Sequence, residues 1–320
     1  MATVREHWYL LRVGYDEQPL LSEITTNDGD RLAISASKPY CDTEQWNAFR
    51  IDLFVERDVE TDERQNEVLR KMFEPRVSGL SFGKLNAEEK TLMAPFGSEH
   101  TLAGPVTSFC DCLAWTIGHQ MRLAFNEATI TVDGEPKMRA WWVEAPFRLR
   151  PNALIGGSIR EMTSSYPVDR KVTESDLSTA VELFSKGLAD PVQLFLEVDA
   201  MKGEMRKSAV VMLCTCAEWA VKQRITKEHP DTAWLLQELQ SPPIGKMLRR
   251  FDLLGALVGA RISEQDVKQI EAAFDARNSI VHGKKVVPMG NKKADLDAQV
   301  SKAFNGWQAA IKKLLVALYQ

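Results

Sequence analysis

Apolar and polar residues alternate along much of the first half of the chain and recur at helical spacing along the second. HWYLLRVGY (residues 7–15), AFRIDLFVERDV (48–59), ATITV (128–132) and MRAWWVEAPF (138–147) mix β-branched, aromatic and charged side chains at a period near two, which predicts strands. Asp133-Gly134 lies between the last pair, a strong signal for a hairpin turn. The polar stretches 60–71 and 86–90 read as a helix and a loop between strands. The segment TSFCDCLAWTIGHQMRLAF (107–125) fits a buried helix or a strand equally well, and the pattern leaves both open.

Around residues 156–169 the composition shifts to GGSIREMTSSYPVD, which places a domain boundary there. Everything beyond reads as helix. Thr173-x-x-Asp176 has the form of a capping signal before LSTAVELFSKG, and Pro191 opens a long helix expected over residues 191–227. The middle of that helix, SAVVMLCTCAEWAV, is apolar on nearly all sides, as expected of the central helix of a bundle. Short helices follow around AWLLQELQ and GKMLRRFDLLGALVGA, separated by Pro242-Pro243, with Gly255 and Gly259 allowing close approach. SEQDVKQIEAAFDARNSIVHG opens on Ser263 as cap and closes on Gly283, and DLDAQVSKAFNGWQAAIKKLLVALY forms the last helix. The fold class expected is α+β, with a β-rich domain over residues 1–165 and an all-α bundle over 166–320.

Composition narrows the function. The chain has 320 residues, 44% of them hydrophobic, enough for two domains with separate cores. A net charge of −4 excludes a surface coated in positive charge, so any contact with RNA must be local. No run approaches the roughly 18 apolar residues that span a bilayer, and the polar N-terminus lacks a secretory core, which makes the cytoplasm the expected location. The five cysteines (Cys41, Cys110, Cys112, Cys214 and Cys216) sit in apolar surroundings that suit reduced core thiols. Cys110-x-Cys112 with His119, or Cys214-x-Cys216, falls short of a zinc ligand set, so no metal is expected. GLSFGK lacks the spacing of a phosphate loop, and no cofactor is implied. Trp8, Trp141 and Trp142 can line a binding surface, or pack half in the core and half at the surface.

One helix carries candidate chemistry. On the Ser263 helix the apolar stripe is read as Val267, Ile270, Phe274 and Val281, and Arg277 falls within it. A guanidinium cannot lose its charge to escape burial, so it must pair with an acid, face a cleft or meet another subunit. Asn278 and His282 are four residues apart and therefore share one helix face. Gly283 then stops the helix, leaving an imidazole at a C-terminus, where the helix dipole favours its protonated form. The spacing alone is not diagnostic. Arg224 and His229 repeat it in RITKEHPD, which reads as a solvated helix end.

ARNSIVHG resembles the signature of the HEPN superfamily, in which Arg, a polar residue, three further residues and His close a helix of a small bundle. The preceding helix, with Glu218 inside the apolar CTCAEWAV, is similar too. The resemblance covers about the last 150 residues. It implies a metal-independent endoribonuclease assembled as a homodimer, with a role in antiphage defence or toxin-like growth arrest. His282 would be general acid or base, Arg277 would hold the scissile phosphate, and Asn278 would orient the imidazole or the phosphate. Attack by RNA's own 2′-oxygen would leave a 2′,3′-cyclic phosphate. Lys284 and Lys285, with Lys246, Arg249 and Arg250 on a preceding helix, are candidate RNA-phosphate contacts or solvated surface charges. Glu218 is the candidate buried partner for Arg277. The alternative is a non-catalytic HEPN-like module that binds nucleotide, nucleic acid or protein and dimerises. In either case the N-terminal domain is expected to bind a trigger, a target or a partner.

Overall fold

The computed structural model describes residues 1–15, 21–26, 28–37, 49–73, 85–93, 102–118, 122–132, 138–139, 170–201, 206–238, 243–250, 252–255, 260–284, 286–289 and 292–319. The chain divides into two units, Met1–Gly187 and Leu188–Gln320. The α+β class holds: an antiparallel sheet dominates the first unit and helices dominate the second.

In the first unit, β1 (Ala2–Tyr15), β2 (Leu21–Thr25), β3 (Arg31–Ser37), β4 (Phe49–Val59), β5 (Arg122–Val132) and β6 (Met138–Arg139) form a sheet in the order β2-β3-β4-β1-β5-β6. The short β7 (Arg170–Val172) pairs in parallel with the end of β1. Register explains the alternation: Trp8 lies opposite Leu53 and His7 opposite Phe54, so neighbouring residues of one strand serve opposite faces. One face is apolar, carrying Val4, Trp8, Ile34, Leu53, Val55 and Ile130, all buried. The other is charged and aromatic. There Asp52 accepts from Arg50 Nε at 2.9 Å and lies 3.1 Å from His7 Nε2, while His7 stacks on Phe54 at 4.1 Å. Trp8 is a core residue rather than part of a binding surface, and its indole N–H donates to Glu6 at 3.1 Å. Trp141 and Trp142 lie outside the described residues.

Helix α1 (Glu63–Phe73) appears where a helix is expected. The polar run 86–90, read as a loop, is instead a short helix α2 (Ala87–Leu92), because Asn86 and Glu89 cap each other reciprocally. The ambiguous segment divides into both alternatives: α3 (Ala103–Ile117) ends at Gly118, whose φ of 67° only glycine adopts easily, and β5 follows. Helix α4 (Glu174–Lys186) starts at the expected Thr173 cap. It packs on α3, with Phe109 and Phe184 edge to face at 6.0 Å. The first unit therefore extends to Gly187, beyond the composition shift at residues 156–169.

The second unit also departs from one expectation. The long helix predicted over 191–227 is two helices, α5 (Asp190–Met201) and α6 (Arg206–Glu228), packed on each other. Helix α6 is the central one, burying Val210, Leu213, Cys214, Ala217 and Val221 against its neighbours. A 3-10 turn (Pro230–Thr232) leads to α7 (Ala233–Glu238), α8 (Ile244–Arg250), α9 (Asp252–Gly255) and α10 (Glu264–Val281). Between α10 and the last helix, α11 (Leu296–Tyr319), the chain forms an antiparallel pair, β8 (Val286–Met289) and β9 (Lys292–Asp295). The unit is thus not wholly helical. Pro288 and the run of polar residues around Gly290 concealed the pair from a periodicity reading.

Asp266 ties α10 to α11. Its carboxylate accepts from Lys313 Nζ at 2.8 and 3.1 Å and from Ser263 Oγ at 2.6 Å. Burial raises its pKa, but Lys313 and Ser263 together outweigh that and hold it below the ordinary value. A carboxylate depressed in this way contributes stability above its unfolded-chain pKa and loses it as pH falls through the folded one. Asp266→Asn should therefore cost about 1 kcal/mol in urea unfolding at pH 7, the lysine being mostly solvated. Below about pH 4 the gap to the parent should shrink; a gap independent of pH would assign the anchor to packing alone.

Candidate functional site

Helix α10 is closed at both ends by residues visible in the sequence. At its start Ser263 Oγ accepts the Asp266 N–H at 3.1 Å, and the Asp266 carboxylate accepts the Ser263 N–H at 3.1 Å. At its end Gly283 takes a φ of 63°, so that the Lys284 N–H reaches the Ser279 carbonyl at 2.8 Å and the Gly283 N–H reaches Ile280 at 3.0 Å. This glycine-terminated turn satisfies two carbonyls that a helix end leaves open. It also fixes the backbone of His282, the C-cap residue, whose N–H bonds the Asn278 carbonyl at 3.1 Å.

The His282 side chain is exposed. Asn278, one turn earlier, is exposed as well and accepts a hydrogen bond on Oδ1 from Arg277 Nη1 at 3.1 Å. Arg277 is half-buried, and its charge reaches the buried Cys214 of α6. Burial pushes that thiol's pKa well up, while Arg277 draws it down. The three predicted residues thus lie within one turn and its cap, the guanidinium joined to the Asn278 amide and the His282 backbone to the Asn278 carbonyl.

The apolar stripe follows the prediction at Val267 and Ile270 and departs from it beyond them. The inward line is Val267, Ile270, Ala273, Ala276 and Ser279, and Val281 is 56% exposed. Arg277 therefore borders the buried face instead of interrupting it. Glu218 is held by Lys222 at 2.8 Å, and like Arg277 it lies in electrostatic range of Cys214.

The RNA-contact candidates separate. Lys284 is exposed beside the helix end. Lys285 and the Arg250 side chain lie outside the described residues. Arg249 is committed elsewhere: Nη2 reaches Glu264 at 2.8 Å and Glu271 at 3.0 Å, and these carboxylates raise its pKa. The fork fastens α8 to α10, at a point where Gly245 leaves no room for a Cβ against the Glu271 side chain. Arg249 is a clamp here, and a phosphate would have to displace two carboxylates to use it. The repeated spacing at Arg224 and His229 has a different setting, with Arg224 bound to Glu228 at 3.1 Å and His229 exposed just past the end of α6.

A pocket of about 420 Å³ adjoins the end of α10. Gly283, Lys284 and Ile280 form one side, Leu296, Asp295 and Asp297 another, and Lys207 of α6 completes it. Lys207, Asp295 and Asp297 escaped the sequence reading, since no spacing links α6 to the start of α11. Elsewhere, burial pushes the thiols of Cys112 and Cys216 up to about 12, which keeps them protonated core groups. Cys41 and His119 lie outside the described residues, among which no group of three or more His, Cys, Asp or Glu is placed to hold a metal ion. No described helix is long and apolar enough to cross a membrane. Comparison of the chain with protein-family models, with curated proteins and with solved structures finds no match.

Proposed function

We propose that the second unit is a metal-independent endoribonuclease of the HEPN type, working as a homodimer in antiphage defence or toxin-like growth arrest, while the sheet unit receives a trigger, target or partner. The observation that supports this is the helix end of α10, where an exposed imidazole on a rigid glycine turn stands one turn from an amide bonded to a guanidinium. His282 would take the proton from the ribose 2′-hydroxyl or give one to the leaving 5′-oxygen. Arg277 would stabilise the charge gained by the non-bridging phosphate oxygens as the 2′-oxygen attacks, and Asn278 would hold the guanidinium in place. The P–O5′ bond breaks as the P–O2′ bond forms, so the products are a 2′,3′-cyclic phosphate and a 5′-hydroxyl.

Support for a dimer comes from large apolar side chains at the surface: Trp234 is 68% exposed, Leu235 47% and Trp219 39%. A second copy of the chain could cover such groups where they adjoin one another. The same residues favour a second reading, a non-catalytic module that binds nucleotide, nucleic acid or protein. The two separate when purified protein is incubated with RNA in excess EDTA and the new ends are identified. Cyclic phosphate ends are expected; retained binding without cleavage supports the second reading, and 3′-hydroxyl ends rule out the internal attack.

A further inference from the structure

The pocket at the end of α10 offers three kinds of surface to one ligand. Ile280, with the edge of the mostly buried Leu296, supplies a small apolar patch. Lys207 and Lys284 supply cations. Asp295 and Asp297, at the start of α11, supply carboxylate acceptors. Asp295 also accepts the Ala298 N–H at 2.9 Å, capping α11, and Asp297 holds Lys207 at 2.8 Å in an exposed pair that opens at little cost. A bare phosphate would satisfy the lysines and be repelled by the aspartates. A nucleotide presents all three complements: a flat base for the apolar patch, a phosphate for the lysines, and N–H donors on the base edge for the carboxylates. The volume, about 420 Å³, lies within the range of small-ligand sites. Among the four bases guanine alone carries adjacent N1–H and amino donors on its Watson–Crick edge, the arrangement that a carboxylate receives with both oxygens.

The geometry points to a guanine-preferring subsite here, filled by the nucleotide next to the scissile phosphate. The inference rests on the ribonuclease reading, since the pocket includes Gly283 and Lys284, the residues that follow His282. It assigns the selection of the cleavage position to Asp295 and Asp297, and the grip on the adjacent phosphate to Lys207 and Lys284.

The test uses the full chain and short oligonucleotides that differ in a single base. Binding is measured on 2′-O-methyl versions, which cannot be cleaved, and cleavage on the matching RNAs. The parent should bind the guanine oligonucleotide about tenfold more tightly than the others, as a two-donor contact gives. Asp297→Asn, or Asp295→Asn, which keeps a capping side chain, should bring that preference within about twofold. Lys207→Ala should weaken all four sequences alike, as a phosphate contact does. Cleavage that needs His282 but shows no base preference overturns the subsite and leaves the nuclease standing. A guanine preference in binding that the aspartate variants abolish, without cleavage of any RNA, keeps the subsite and removes the nuclease. Equal binding of all four sequences, or a preference untouched in both aspartate variants, overturns the subsite whatever cleavage shows.

Discussion

Cleavage of RNA by His282→Ala should fall about 10²–10⁴-fold below that of the parent, the usual contribution of a positioned general acid or base. The imidazole is exposed, and the turn that ends α10 is made by backbone groups and Gly283. The substitution should therefore leave thermal unfolding within about 0.5 kcal/mol of the parent, as for other surface changes. Rate and stability thus separate, and a lost activity cannot be blamed on a lost fold. Arg277→Lys is the companion measurement. It keeps the charge but gives up the planar fork that meets Asn278 and would grip two phosphate oxygens. A rate equal to the parent in His282→Ala would move the chemistry away from the end of α10. Equal rates in Arg277→Lys would show that charge alone suffices.

The chain displays its ends more plainly than its interior. Thr173, Ser263 and Gly283 act at the positions where capping chemistry places them, because a cap depends on a few neighbours and one backbone angle. The pairing of β5 with β6 is equally local, with Thr129 opposite Arg139 and Ile130 opposite Met138, while Asp133 and Gly134 lie outside the described residues. The orientation of α10 was harder to read. Its inner face is built from Ala273, Ala276 and Ser279, small residues that let helices approach but carry little hydropathy. The larger Phe274 and Val281 therefore drew the later turns of the stripe away from the buried line, and Val281 is in fact exposed. The pairing of Arg249 was hidden for a related reason. Arg249 looks available in sequence, yet its partners Glu264 and Glu271 belong to a different helix, and only the fold brings them together. Lys207, Asp295 and Asp297 meet in the same way. The catalytic candidates were legible because they share one turn; the pocket was not, because its walls come from three helices.

The largest loss of stability is expected in the sheet unit. Asp30 is fully buried beside the turn between β2 and β3, and Arg57 of β4 meets it with two hydrogen bonds, Nε to Oδ1 and Nη2 to Oδ2, each 2.6 Å. The turn itself is fixed by the Asp30 N–H bonding Thr26 Oγ1 at 3.0 Å and by Gly29 at a φ of 84°. The carboxylate thus has little freedom to follow water if its partner goes. The Asp30 carboxylate raises the Arg57 pKa, and the buried Glu6 adds to the same effect, so Arg57 offsets more than one acid. Arg57→Ala should destabilise the unit by about 2–3 kcal/mol, somewhat under the cost for a wholly enclosed pair because the guanidinium is partly solvated. The double variant Arg57→Ala/Asp30→Ala should recover much of that loss, since no uncompensated Asp30 charge then remains. Urea unfolding followed by hydrogen exchange at the paired amides of β1 and β4 reports on this unit. If the double variant is as unstable as the sum of the single ones, the pair contributes through packing and the turn, and the charge of Asp30 is not what makes Arg57 necessary.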